Sequence, residues 1–175
     1  MDYFDVVNSR RSVRVFAEKA IEENKIQQVL ETANRAPSAG NLQAYEIYVV
    51  RDNSIRSALA HASLDQGFIA DAPVVLVFCA HPARSAGRYR ERGIRLYAVQ
   101  DATIACTFAM LASTALGLSS VWVGAFNDDS VRDAMKIPPT LLPVAILPIG
   151  YPAEEPGLRS RRKLDDIVHE IIKEE

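Results

Sequence analysis

Three short stretches of this 175-residue chain combine residue types suited to chemistry. The first is Arg10-Arg11-Ser12-Val13-Arg14, three guanidinium groups and a hydroxyl in one run. Arginine keeps its charge and grips phosphate in bidentate fashion, so this run suits a phosphate group. In an extended backbone Arg10, Ser12 and Arg14 share one face. The same run also reads as a solvated basic turn, favoured by the C-terminal dipole of a preceding helix. The second stretch is Pro37-Ser38-Ala39-Gly40-Asn41-Leu42-Gln43. A glycine among small neighbours lets backbone come close to a ligand, and Asn41 and Gln43 each donate and accept. Those amides suit a flat heterocycle; the alternative is an ordinary helix-to-strand loop. The third, Arg159-Ser160-Arg161-Arg162-Lys163, reads either as a second arm on the same phosphate or as a solvated positive run.

Other chemistries lack their residues. No Walker motif occurs, no GxGxxG follows a strand, and no GxSxG elbow supports a hydrolase. Cys79 and Cys106 are too far apart for a CxxC motif and sit in apolar patterns, so both read as inert buried thiols. His61, His81 and His169 have no ligand-like spacing, and no metal is expected. A net charge of -2 and a pI near 6.0 give no global field for nucleic acid or an acidic membrane. The start, MDYFDVVNSRRS, is neither a signal nor a transit peptide. No uninterrupted run approaches the ~18 apolar residues of a membrane span. The expectation is a soluble cytoplasmic protein with one domain over residues 1–175.

The elements that must position these stretches can be read from periodicity. Residues 2–9 suggest a short helix capped by Asp2, with Phe4 and Val7 on one face. Ile26, Val29, Leu30 and Ala33 mark a helix over 22–35, ended by Ala36-Pro37. Strands are expected at 45–50, 74–78, 120–125 and 143–150, and helices at 53–62, 95–116 and 128–135. The basic stretch 82–94 reads as a loop or exposed helix, and Gly117 as a helix cap. An amphipathic helix is expected at 164–173, with Leu164, Ile167, Val168, Ile171 and Ile172 apolar. Alternating helices and strands place helices around a central sheet.

Taken together and in order, these segments resemble the FMN-dependent nitroreductase family, in particular its short NADH oxidase or flavin reductase-like members. RRSVRVF resembles its opening signature, APSAGNLQ its Pro-Ser-(Ser/Ala)-Gly-Asn-x-Gln loop, and YAVQDATIACTFAMLASTALGLSSVWVGAF its central helix and Gly-bearing strand. RSRRKLDDIVHE resembles its basic pair and closing helix. The resemblance implies an α+β fold, a mixed and mainly antiparallel sheet flanked by helices, in an intertwined homodimer with FMN at the interface. It implies flavin contacts for Arg10, Arg11, Ser12 and Arg14, and phosphate contacts for Arg159 and Arg161. It places Pro37, Ser38, Asn41 and Gln43 at the ring, Val123 and Gly124 near its reactive edge, and the Gln100 amide close to the cofactor. The chain departs from the family pattern at Gln43-Ala44-Tyr45, where many relatives have Gln-Pro-Trp. It is also short, and the brief 82–94 stretch implies an open pocket.

The implied activity is hydride transfer from NADH or NADPH to flavin, then electron transfer to an acceptor such as a nitroaromatic, a quinone or free flavin, with ping-pong kinetics. Arg14 is the candidate catalytic residue, opposing negative charge near N1 and the C2 carbonyl of reduced flavin. Tyr89 and Tyr97, with Arg88 and Arg90, are candidate substrate-face residues; an exposed basic loop is the alternative. Rival readings are reductive dehalogenation or flavin fragmentation on the same fold, and a flavin-binding protein without catalysis.

Overall fold

The computed structural model describes residues 1–171. Helices α1 (Tyr3–Ser9) and α2 (Glu23–Asn34) precede strand β1 (Tyr45–Val50), followed by α3 (Asn53–Ala62), α4 (Phe68–Asp71) and β2 (Val74–Ala80). Next come α5 (Pro82–Arg92), a π turn (Gly93–Tyr97), α6 (Ala98–Ala115), β3 (Ser119–Ser120), α7 (Asp128–Met135) and β4 (Leu142–Gly150). Asp2 and Asp5 form a reciprocal capping box on α1. Asp52 caps α3 and Asn127 caps α7, each accepting backbone N–H bonds. Gly117, at φ 74°, supplies the left-handed residue that ends α6.

The four strands form one antiparallel sheet in the order β1-β2-β4-β3, an α+β arrangement. Every residue of β2 is buried because both of its faces are covered. Val74, Leu76, Phe78 and Ala80 point into a core shared with α2 and α6, and Val75, Val77 and Cys79 into a second core shared with α3 and α7. Alternation along one strand thus serves two hydrophobic layers. Small residues (Ala98, Ala102, Ala105 and Ala109) bring α6 close to α2 and the sheet.

Cys79 and Cys106 are free and buried, as their apolar settings suggest. Burial pushes the Cys79 thiol up to about 12 and raises that of Cys106 further. Neither thiol is therefore expected to react with a thiol reagent at pH 8 until the protein unfolds. Rapid labelling of the native protein would contradict the buried placement.

Three expectations need correction. Strand β2 runs on to Ala80, two residues beyond the apolar run 74–78. The strand expected over 120–125 shrinks to Ser119–Ser120 plus an isolated bridge from Val123 to Ile146. Ile146 exchanges both hydrogen bonds with Val123, so Pro148 turns the same way and has no N–H for the ladder. The stretch 82–94 takes the helical of its two readings, as α5, and joins α6 through the π turn, making a helical run Pro82–Ala115. That run is long and apolar enough for a membrane span by length and composition alone, but 44% of its most apolar window is buried in the fold.

The closing helix is the largest departure. Residues 164–166 make a single 3-10 turn, 167–171 are irregular and exposed, and 172–173 lie outside the described residues. An isolated helix shorter than about 12–15 residues is marginal in water. With no surface to bury Leu164, Ile167, Val168 and Ile171, the amphipathic pattern does not become a helix in a single chain.

Candidate functional site

The segment after α1 is built into the sheet edge. Ser12 bridges Ser120 of β3 in parallel, Val13 N–H donates to the Ser120 carbonyl (3.2 Å), and Phe16 bridges Pro152 beyond β4. Val13 and Phe16 turn inward, leaving the polar side chains at a cleft of about 540 Å³. Arg10, Arg11, Ser12 and Arg14 line one side of this cleft, and Arg159 and Arg161 line another. The two basic stretches, remote in sequence, therefore meet within one chain.

The donor set of this cleft fits a phosphate. No Asp or Glu lines it, and none of its arginines forms an ion pair among the described residues. Partial burial, then the charges of Arg161 and Arg11, hold the Arg10 guanidinium below its usual value. Like charges gathered without a counter-ion cost energy that a bound anion recovers. Arg11 contributes less than the others, because its Nη1 folds back onto the carbonyls of Asn8 (2.6 Å) and Arg10 (2.9 Å).

Glu154 sets the geometry, and the sequence reading missed it. Its Oε1 accepts from the backbone N–H of Arg14 (2.5 Å) and of Val15 (3.1 Å). Beside it, Ala17 N–H donates to Tyr151 and Ala153 N–H to Val15, stitching the two sides together. Glu154→Ala is expected to weaken FMN binding about 3- to 10-fold, since about 1 kcal/mol of positioning is lost. Glu154→Gln keeps the acceptor oxygen and is expected to bind within about twofold of wild type. A flavin fluorescence titration decides this, and equal losses in both variants would contradict it.

The 37–43 loop is held by a second carboxylate. Asp101, on α6 and only 2% exposed, accepts from Ala39 N–H (2.9 Å) and Ala44 N–H (3.3 Å). A lone aspartate in a helix of small apolar residues was the available signal, because buried carboxylates are rare unless paired. The bond to Ala44 bears on the departure from Gln-Pro-Trp, since a proline at 44 would have no N–H to offer. Tyr45 fills the space behind the loop and donates to the Ala33 carbonyl (3.4 Å), and burial and then the Asp101 charge raise its pKa. Gly40, Asn41 and Gln43 adopt positive φ (59°, 58° and 42°). The Asn41 and Gln43 side chains bond to one another at 2.5 Å, and the Ser38 hydroxyl accepts from Gln43 N–H (3.0 Å).

The remaining candidates fall elsewhere. Pro37, Ser38, Gln100 and Tyr97 line a cleft of about 450 Å³ beside Asp101, while Asn41 borders a separate recess with Arg35. Tyr89 meets Tyr97 edge to face, with centroids 5.0 Å apart, and its hydroxyl lies 2.6 Å from where a Gly40 Cβ would stand. Val123 is buried in the sheet, leaving Gly124 exposed next to Trp122. None of these residues lines the arginine cleft. One chain thus presents an arginine-lined cleft and a loop-bordered cleft as separate surfaces.

The family model described as Nitroreductase matches residues 7–67 and 60–151. An NADH dehydrogenase of Thermus thermophilus is 31% identical over 186 residues, covering 91% of each chain. An FMN reductase (NAD(P)H) of Bacillus subtilis is 26% identical over 177 residues, covering 94% of this chain and 71% of its own. The crystal structure of a nitroreductase family protein from Clostridium novyi is similar with a TM-score of 0.80 at 30% identity, over 88% of this chain and 87% of that one. A family model covering most of the chain, together with relatives matched along nearly their full length, shows that this protein belongs to the nitroreductase family.

Proposed function

We propose that this protein is an NAD(P)H-dependent FMN oxidoreductase that reduces a small electron acceptor and works in the cytoplasm as a homodimer. The observation that carries the reading is the arginine cleft, lined by Arg10, Arg11, Arg14, Arg159 and Arg161 with Ser12 and Asn8, suited to the FMN phosphate. When bound, FMN supplies the two-electron chemistry between nicotinamide and acceptor. Arg10, Ser12, Arg159 and Arg161 would hold its phosphate, with Arg11 at the rim. Pro37, Ser38, Asn41, Gln43, Gln100 and the Val123-Gly124 backbone would border its ring. The Arg14 guanidinium is available to oppose negative charge on the reduced ring. Donor and acceptor would use one cleft in turn, which gives parallel lines in double-reciprocal plots.

Two features support a homodimer. The ring-bordering loop and the arginine cleft do not share a surface in one chain, so a second copy can bring them together. Tyr3, Phe4 and Val7 of α1 and Leu158, Leu164, Val168 and Ile171 of the closing segment are exposed apolar groups that a second copy could cover. Light scattering checks the assembly.

The deciding experiment is an absorbance spectrum followed by anaerobic addition of NADH and NADPH. Flavin bands that bleach support the reading. A protein that cannot be reconstituted with FMN overturns it, and one whose bound flavin stays oxidised is a binding protein without this activity. Arg14→Ala is expected to slow the bleaching more than it weakens FMN retention. Unchanged reduction rates would remove Arg14 from that role.

A further inference from the structure

The stretch from α5 through the π turn carries five arginines of two kinds. Arg84 is committed to Glu46 (2.6 Å) and to the carbonyls of Gln43 and Tyr45, and Arg95 to Glu91 (2.8 Å). Arg88, Arg90 and Arg92 have no carboxylate partner among the described residues. Arg88 Nη1 makes one long bond to the Gly40 carbonyl (3.5 Å), and Arg92 Nε donates to the Tyr97 hydroxyl (2.9 Å). A guanidinium has five N–H donors, so most of theirs remain for a ligand.

Both arginines are exposed, and each is held against an aromatic ring. Arg88 lies 5.6 Å over the Tyr89 ring and Arg92 5.4 Å over the Tyr97 ring, and the two tyrosines meet edge to face. Tyr97 lines the cleft shared with Pro37, Ser38 and Gln100. The chain reverses sharply to bring these side chains together. Arg90 adopts φ 50°, ψ -136°, and Gly93 is so close to the Ser85 carbonyl that a Cβ would lie 2.6 Å from it. The one buried carboxylate at this cleft, Asp101, is already committed to Ala39 and Ala44.

We propose that Arg88 and Arg92 form an anion subsite beside this cleft that selects an aromatic ligand carrying a carboxylate or phosphate. The inference deepens the proposed function and rests on its reading of the 37–43 loop as the border of the reaction site. Two ligands of that reading can supply the anion: an acidic electron acceptor, or the 2′-phosphate that distinguishes NADPH from NADH.

The test is calorimetric titration of the FMN-loaded protein with 4-nitrobenzoate, neutral 4-nitrobenzamide, NADP⁺ and NAD⁺, on wild type and on the Arg88→Gln/Arg92→Gln double variant. Wild type is expected to bind one anionic ligand about tenfold more tightly than its less charged counterpart, with the double variant losing that ratio. The benzamide affinity reports that the cleft itself is intact. Loss of the benzoate ratio assigns the subsite to the acceptor, and loss of the NADP⁺ ratio assigns it to the nicotinamide. Both ratios surviving in the double variant overturns the inference while leaving the proposed function in place. Failure to load FMN overturns the proposed function and this inference with it.

Discussion

Arg10→Gln is expected to lower FMN affinity about 10- to 150-fold while raising the melting temperature of the flavin-free protein. The first effect follows from losing a charge-assisted contact to phosphate, worth about 1.5–3 kcal/mol. The second follows from the sign of the shift at Arg10. Burial, then Arg161 and Arg11, hold its folded-state pKa below the ordinary value, so the charged form is disfavoured in the empty folded protein. Removing that charge relieves repulsion when no anion is bound, a trade of function against stability common at binding sites. Riboflavin, which has no phosphate, should bind both proteins alike. Flavin fluorescence titration and a melting curve of the apoprotein measure the two effects. An unchanged FMN affinity, or a lower apoprotein melting temperature, would remove Arg10 from the phosphate site.

Asp101→Ala should be the most damaging single change near the loop. It strips the acceptors from the part-buried Ala39 N–H and the buried Ala44 N–H, at about 1–3 kcal/mol for the buried donor and less for the other. It also releases a backbone held in an unfavourable state, since Asn41 and Gln43 are non-glycine residues at positive φ. A loss of about 2–4 kcal/mol corresponds to a fall in melting temperature of about 5–15 °C for a chain of this size. Asp101→Asn keeps one oxygen but turns an NH₂ toward the other N–H, so it is expected to lose nearly as much. Hydrogen exchange at Ala39 and Ala44 should accelerate in both variants. A melting temperature within about 1 °C of wild type, with protection intact, would show that the loop holds itself.

Both predictions depend on residues that local pattern reading treats very differently. Arg10 was legible because guanidinium density and extended spacing are properties of a short window. Asp101 and Glu154 were not, because each carboxylate acts on backbone N–H groups far away in sequence, 62 and 140 residues in the cases of Ala39 and Arg14. In the sequence Asp101 interrupts an apolar helix and Glu154 follows a strand; only chain closure gives them donors to bind.

Local energetics was enough for most of the elements. Strand 45–50 and helices 53–62 and 128–135 follow from apolar periodicity and from the side-chain caps Asp52 and Asn127, which act within three residues. The motifs that placed the chain in its family are equally local. Tertiary structure decided how far the strands pair, because Pro148 matters only once it faces the 119–123 segment. It decided that the closing segment stays irregular in one chain, because an amphipathic stripe needs a surface before it becomes a helix. It also decided that Arg10, Arg14, Arg159 and Arg161 face one cleft while Pro37, Ser38 and Gln100 face another. Residue type and spacing are encoded within a few neighbouring positions, whereas the surface on which a side chain emerges depends on the packing of the whole chain.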